Sequence, residues 1–414
     1  MAETTFSHAL ANGLVLVAEP MSWLESAAFA LMVPAGCVYD PVQRSGLASF
    51  TCEMALRGAG ERDSRRFIGD LDNLGVQWSD SVSEAHTAFR GATLAANLPT
   101  ALAVFADVVR RPHLPGDQLE AGRQVMLQEL RAVEDEPAQK VMIELRRRHY
   151  PRPWGRPAQG ELEALETIAI GDVREHFAEG FRPNGAVLAV AGRFDWARLR
   201  ETVERSFGDW EPGAEPPIRE EPWARRHDHL AYDSNQTQIG ISYESVPYRH
   251  PDYFQAWGAV GVLSGGMSAR LFTEVRERRG LCYSVYASYH YLRDRAGVFC
   301  YAGTSADRAQ ETLDVMIAEL TRLARGVEAH ELDRLKARIK SLLIMQQESS
   351  SARSAAIARD WYHLRCVRTV DELGRLVDDL TCKSFNAYLA EHPPGDFTVV
   401  TLGPRELEVP IGVS

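Results

Sequence analysis

An α+β fold built twice over is predicted by three features of the 414-residue chain. The first is a repeat of apolar, β-rich runs closed by glycine. "NGAVLAVAG" occupies residues 184–192 and "GDFTVVTLG" residues 395–403, so from Gly192 to Gly403 the offset is 211. The second is a repeat of helical periodicity. "LEAGRQVMLQEL" starts at 119 and "LDRLKARIKSLL" at 332, an offset of 213, and each follows another amphipathic stretch, "LPTALAVFADVVRRP" or "AQETLDVMIAELTRL". The third is grouping: strands cluster apart from consecutive helices, which favours a mostly antiparallel sheet packed against a helical layer over alternating βαβ units.

Each half then reads in the same order. A strand pair opens it, followed by a helix, more strands, a long helical hairpin, another helix and the closing strand. Between the halves lies "EPGAEPPIREEPW" at 211–223, rich in Pro and Glu and without periodicity, the expected linker. The expected division is therefore 1–210, a linker over 211–225, and a homologous domain over 226–414.

Bulk composition narrows the partners. A hydrophobic content of 45% fills two sizeable cores, and a net charge of -11 disfavours nucleic acid and anionic membrane surfaces. It suits neutral or basic peptides entering an acidic cavity. Cys37, Cys52, Cys282, Cys300, Cys366 and Cys382 are scattered without a CxxC pair, too sparse for a disulfide framework. The start, "MAETTFSHALANGLVLVAEP", has no basic n-region before an apolar core, and no window approaches eighteen apolar residues. A cytoplasmic protein is expected, or a periplasmic one if a leader has been removed.

"GLASFTCEMALRG" at 46–58 reads as a buried small-residue helix, with Gly46, Phe50, Met54 and Gly58 recurring every four residues. Ser49, Cys52 and Glu53 fall at i, i+3 and i+4, so they share one helical face and can converge. The phrase, with the duplicated layout, resembles the pitrilysin/insulinase family of zinc peptidases. There the helix carries an inverted H-x-x-E-H motif: two histidines bind zinc and the glutamate between activates water. The resemblance places Ser49 at the first histidine, Cys52 at the general base and Glu53 at the second histidine. The family's third ligand matches Glu129, which stands 76 residues after Glu53 in "VMLQELRAVEDEP". A serine hydroxyl is a poor ligand and the base is gone, so these four positions read as a vestigial site without metal. No other H-x-x-E-H or H-E-x-x-H occurs among the twelve histidines.

"LSGGMSARLFTEVRERRGLCYSVYASYHY" at 263–291 reads as a glycine turn, a helix capped by Ser268 and running to about Arg278, a stop at Gly280, and a strand over Leu281–Tyr289. Glu274 has Arg270 and Arg278 at i±4. Arg276 has Phe272 and Gly280 there, so its own helix offers it no carboxylate. Tyr283 alternates with Leu281 and Val285, as a core tyrosine would. The segment resembles the part of the family that completes the active site from the opposing domain, whose arginine and tyrosine match Arg276 and Tyr283. Guanidinium and phenol can donate hydrogen bonds to a peptide carbonyl that becomes negative during attack. Gly265 and Gly266 resemble the family's substrate-handling glycine loop, though a plain tight turn explains them equally.

In some members of the family one chain carries the zinc helix and another the arginine–tyrosine pair. The resemblance therefore implies a metal-free partner subunit of a heterodimeric peptidase, with zinc in a homologous partner, a peptide as substrate and no activity alone. Two alternatives stand beside it: a non-proteolytic structural subunit like the core proteins of respiratory complexes, and an independent metalloenzyme built on Cys52, Glu53 and Glu129.

Overall fold

The glycine-closed apolar runs become strands Val187–Gly192 and Thr398–Gly403, buried at every position. A strand covered on both faces needs no polar alternation, which is why they read as unbroken apolar stretches. The structure, a computed structural model, describes residues 5–221, 223 and 227–410; of the expected linker, Pro222, Ala224 and Arg225 lie outside them.

Each closing strand is the hub of a sheet, and the two hubs are wired alike. Val187–Gly192 runs antiparallel to Ser26–Val33, with Phe29 opposite Val190, and parallel to Val15–Pro20. Thr398–Gly403 runs antiparallel to Gln236–Ser245, with Ile239 opposite Thr401, and parallel to Asp228–Ala231. The first sheet has six strands, in the order Phe6–Ala9, Val15–Pro20, Val187–Gly192, Ser26–Val33, Thr87–Leu94, Gln77–Val82. The second has five: Cys282–Tyr291, Ala296–Ser305, Gln236–Ser245, Thr398–Gly403, Asp228–Ala231. Apart from the one parallel pair in each, neighbouring strands are antiparallel, and the fold is α+β.

The repeated amphipathic stretches form helices Leu98–Arg110, Leu119–Glu134, Ala309–Leu323 and Ala329–Gln346. In the first core Phe29, Phe67, Phe89 and Phe105 meet between sheet and helices; in the second, Leu313, Met316, Leu320 and Phe385 pack under Ile239 and Ile241.

The described residues fall into two compact units that do not follow linear order. One draws on Met1–Ala132, Arg156–Glu220 and Ile344–Thr369, the other on Val133–Gly155, Glu221–Leu343 and Val370–Ser414. The chain thus changes unit inside the expected linker and exchanges two helices besides. Helix Ser350–Leu364 joins the first unit, where Ile357 and Ala358 cover Ala30, Met32, Ala88 and Ala189. Helix Pro137–His149 joins the second, where Val141 and Leu145 meet Phe299, Val400 and Leu402. From 137 to 350 the offset is 213, so the exchange follows the repeat. Small side chains on the outer face of the first sheet let a helix approach closely there. Among the described residues no helix is long and apolar enough to cross a membrane.

Candidate functional site

In the first unit the predicted small-residue helix spans Leu47–Ala55, with Leu47, Ala48, Phe50, Thr51, Cys52, Met54 and Ala55 buried. Gly46 at its start has φ +96, a left-handed conformation that favours glycine. The buried Asp40 carboxylate accepts the Gly46 and Ala48 amides, each at 2.9 Å, and so takes up two N–H groups at the helix start.

The polar side chains of this helix have other occupations. Ser49 Oγ donates to the Ala158 carbonyl at 2.6 Å. The Cys52 thiol, 1% exposed, donates to Asp80 Oδ2 at 3.4 Å; burial pushes its pKa well up and the Asp80 charge adds to the effect. Glu53 accepts from Arg57 Nε at 2.9 Å and Nη2 at 2.7 Å, a charge-assisted fork one helical turn away. Partial burial, and then the negative charges of Glu53 and Asp80, raise the Glu129 carboxyl above its ordinary range. No cation pairs with Glu129 among the described residues.

Zinc requires three donors aimed at one point, with thiol ligands deprotonated. Here a hydroxyl and a thiol direct their protons at acceptors, and the neighbouring carboxylate is bound by a guanidinium. The set Ser49, Cys52, Glu53 and Glu129 does not fit a zinc ion.

In the second unit the segment after the glycine turn takes an unexpected form. The helix predicted from Ser268 to Arg278 forms over 270–277, but all beyond its first two residues is a π-helical turn, Phe272–Glu277, which no side chain caps. The Arg278 amide reaches back five residues to the Thr273 carbonyl at 2.9 Å, the wider turn of a π-helix. Gly280, with φ +58, ends it as predicted. Glu274 forms ion pairs with Arg278 at 2.6 Å and Arg279 at 2.7 Å. Arg270, expected to share Glu274, instead makes a forked pair with Glu331, both contacts at 2.7 Å.

Arg276 pairs with no carboxylate among the described residues. Its guanidinium lies between two rings, 4.9 Å from the centre of Phe272 and 4.9 Å from that of Tyr283. Tyr283 is not a core residue: it is 85% exposed. The ladder to Ala296–Ser305 explains why. Cys282 lies opposite Thr304 and Ser284 opposite Gly303, which leaves Tyr283 as the extra residue of a β-bulge. A bulge takes a residue out of the alternation and re-aims it. Arg276 and Tyr283 thus form one stacked pair that offers guanidinium N–H groups and a phenol to solvent.

Gly265 and Gly266 end helix Tyr253–Ser264. A Cβ on Gly265 would sit 2.2 Å from the Gly261 carbonyl oxygen, and Gly266 has φ +148, so neither position accepts a larger residue without strain. They border a cavity of about 210 Å³ with Met267, Arg334 and Arg338.

Sequence reasoning passed over Asp80 and Arg57, and named Phe272 only as a neighbour of Arg276 that is not a carboxylate. Arg57 and Phe272 stand one helical turn from Glu53 and Arg276, a spacing that marks such pairs. Asp80 arrives from a strand distant in sequence, and nothing local signals it.

Comparison with known proteins agrees with this layout. A family model described as "Insulinase (Peptidase family M16)" matches residues 17–157, and one described as "Peptidase M16 inactive domain" matches 167–339. An uncharacterized zinc protease of Rickettsia bellii is 27% identical over 359 residues, covering 85% of this chain and 86% of that one. A probable mitochondrial-processing peptidase subunit beta of Schizosaccharomyces pombe is 24% identical, covering 84% of this chain and 80% of that one. A crystal structure titled as a peptidase M16 inactive domain, from Pseudomonas fluorescens, superposes with a TM-score of 0.87 at 20% identity, covering 98% of this chain and 99% of that one. With the two models spanning most of its length, the chain belongs to peptidase family M16, the insulinase family.

Proposed function

We propose that this chain is the zinc-free subunit of a two-chain M16 peptidase. It supplies half of a peptide-binding chamber and the Arg276–Tyr283 contacts, while a homologous chain with an intact H-x-x-E-H helix supplies the zinc. The stacked pair carries this reading. An exposed tyrosine on a bulge, under a cation that pairs with no carboxylate among the described residues, has little to contribute to folding. It is well suited to meeting a peptide carbonyl. As the carbonyl oxygen gains charge, the Tyr283 hydroxyl and the Arg276 fork can donate to it, and both are already oriented before substrate arrives. The preoccupied side chains of the Ser49 helix support the division of labour, as does the name of the fission-yeast relative, one subunit of a processing peptidase.

The test is purification from the native source, identification of any tightly bound chain bearing H-x-x-E-H, and reconstitution of the pair. The complex is expected to cleave peptides and the single chain to cleave none. Tyr283→Phe should lower kcat and kcat/KM together by roughly 10²–10³, the usual cost of one lost oxyanion donor. Wild-type rates for Tyr283→Phe in a complex of unchanged affinity would make the chain a scaffold.

A further inference from the structure

We infer that His250, Asp252 and His392 form a site for a divalent transition-metal ion of the zinc type, separate from every residue considered above. One donor atom from each of the three lies within 4.8 Å of the other two, and all three side chains are half-buried. His250 Nδ1 and Asp252 Oδ2 are 3.7 Å apart. The two imidazoles stand edge to face with centroids 5.9 Å apart. Two donors on a tetrahedral zinc, each about 2.1 Å from the metal, are separated by about 3.4 Å, so the His250–Asp252 pair already has nearly the right span. The two spans to His392 are at most 4.8 Å, so each closes by no more than about 1.4 Å, within reach of a side-chain rotation at His392.

One detail beside this geometry points to a cation. Asp252 holds the N-cap position of helix Tyr253–Ser264, where a carboxylate ordinarily accepts an amide of the first turn, yet it makes no cap bond. The Asp252 amide donates to His250 Nδ1 at 3.2 Å, so that nitrogen's lone pair is engaged, and a metal ion bound through Nδ1 takes the place of this bond.

The backbone beneath the donors is fixed. The His250 amide bonds to the Pro247 carbonyl at 2.9 Å, and the Tyr253 amide to the His250 carbonyl at 3.0 Å. His392 caps helix Cys382–Glu391 through its amide to the Tyr388 carbonyl at 2.8 Å, and its ring packs against Tyr388 at 5.1 Å. Two imidazoles with one carboxylate suit zinc and disfavour magnesium or calcium, which prefer all-oxygen shells. The ion would tie the turn before the helix that leads to Gly265 to the end of helix Cys382–Glu391. This gives the chain a structural metal while leaving the Ser49 helix without a catalytic one.

The experiment uses the full chain without a polyhistidine tag, stripped with chelator and titrated with zinc ions alone, binding read by calorimetry and by the melting curve. One equivalent should bind and raise the melting temperature. His250→Ala with His392→Ala should abolish it, and the milder His392→Gln should weaken it beyond the roughly 10–100-fold lost when only an outer-shell partner is removed. Circular dichroism checks that the variants are folded. Cys52→Ala and Glu129→Gln should each leave the stoichiometry at one, and cobalt in place of zinc should show no thiolate charge-transfer band. The proposal is overturned by no binding, by several weak equivalents indifferent to the histidine changes, or by a site lost with Cys52 or Glu129.

Discussion

The Arg276 guanidinium lies over the Tyr283 ring at 4.9 Å, and Phe272 flanks it at the same distance. The stack uses the planar, delocalised cation of arginine, which a lysine ammonium cannot reproduce. An exposed cation–π contact contributes about 0.5–1 kcal/mol, small for folding yet sufficient to bias where a guanidinium points. Arg276→Lys is therefore expected to lower kcat/KM of the reconstituted complex by about tenfold with an unchanged melting curve. Phe272→Leu, which acts only through the orientation of Arg276, should lose less. Equal activity in both variants would show that the stacking does not position the cation.

The second prediction concerns the Ser49 helix. If its site is dismantled and not merely rearranged, Ser49→His, Cys52→Glu and Glu53→His together should restore a metal position with Glu129 as third ligand. The Glu53 change also frees Arg57, so Arg57→Ala belongs in the same variant. Made on the His250→Ala/His392→Ala background, it should bind one zinc that Glu129→Gln removes. A folded variant that binds none would mean that Glu129 does not reach the helix.

How much of this was legible in the sequence varies with the range of the interaction. The repeat, the helices and the hub strands follow from periodicity, because burying one face dictates local pattern. The replaced positions on the Ser49 helix follow from spacing on a single element. Three things do not. The bulge at Tyr283 is a matter of register between two strands, and Leu281, Tyr283 and Val285 alternate as regular strand residues would. The π-turn around Arg276 depends on backbone bonds that side-chain spacing does not record. The exchange of Pro137–His149 and Ser350–Leu364 is decided by which sheet face each apolar stripe finds, and linear order is silent on that. Asp80 beside Cys52 is the same kind of long-range pairing.

The third prediction concerns the exchanged helix. Arg353, fully buried in helix Ser350–Leu364, donates to Glu19 of strand Val15–Pro20 through Nε at 2.7 Å and Nη2 at 2.6 Å. Removing one partner strands the other charge in a low-dielectric interior, at a typical cost of 3–5 kcal/mol. Arg353→Met alone should cost about that much by urea denaturation. Glu19→Gln with Arg353→Met should recover much of it, because no charge is then left unpaired. A single variant within about 1 kcal/mol of wild type would mean that water reaches the pair.

The last prediction is a dependence of stability on pH, with contributions of opposite sign. Burial lowers His86 and His176 to about 4, so between about 4 and 6.5 the unfolded chain binds more protons than the native one. Each histidine therefore makes stability rise with pH across that window. Burial raises Asp40 to about 7 despite its two amide bonds, so the native state holds the extra proton between about 4 and 7, and this group makes stability fall as pH rises. Asp40 Oδ1 lies 3.5 Å from His176 Nε2, and the two contributions nearly cancel, leaving His86 to set the net slope. The wild-type slope from these three groups should correspond to about one proton. His86→Gln should bring it close to zero, and Asp40→Asn should steepen it to about two, even though losing an acceptor for one helix amide lowers stability at every pH. Differences between variants are the readout, since the remaining carboxylates titrate alike in all of them. Parallel curves for wild type and His86→Gln would show that His86 is hydrated in the native protein.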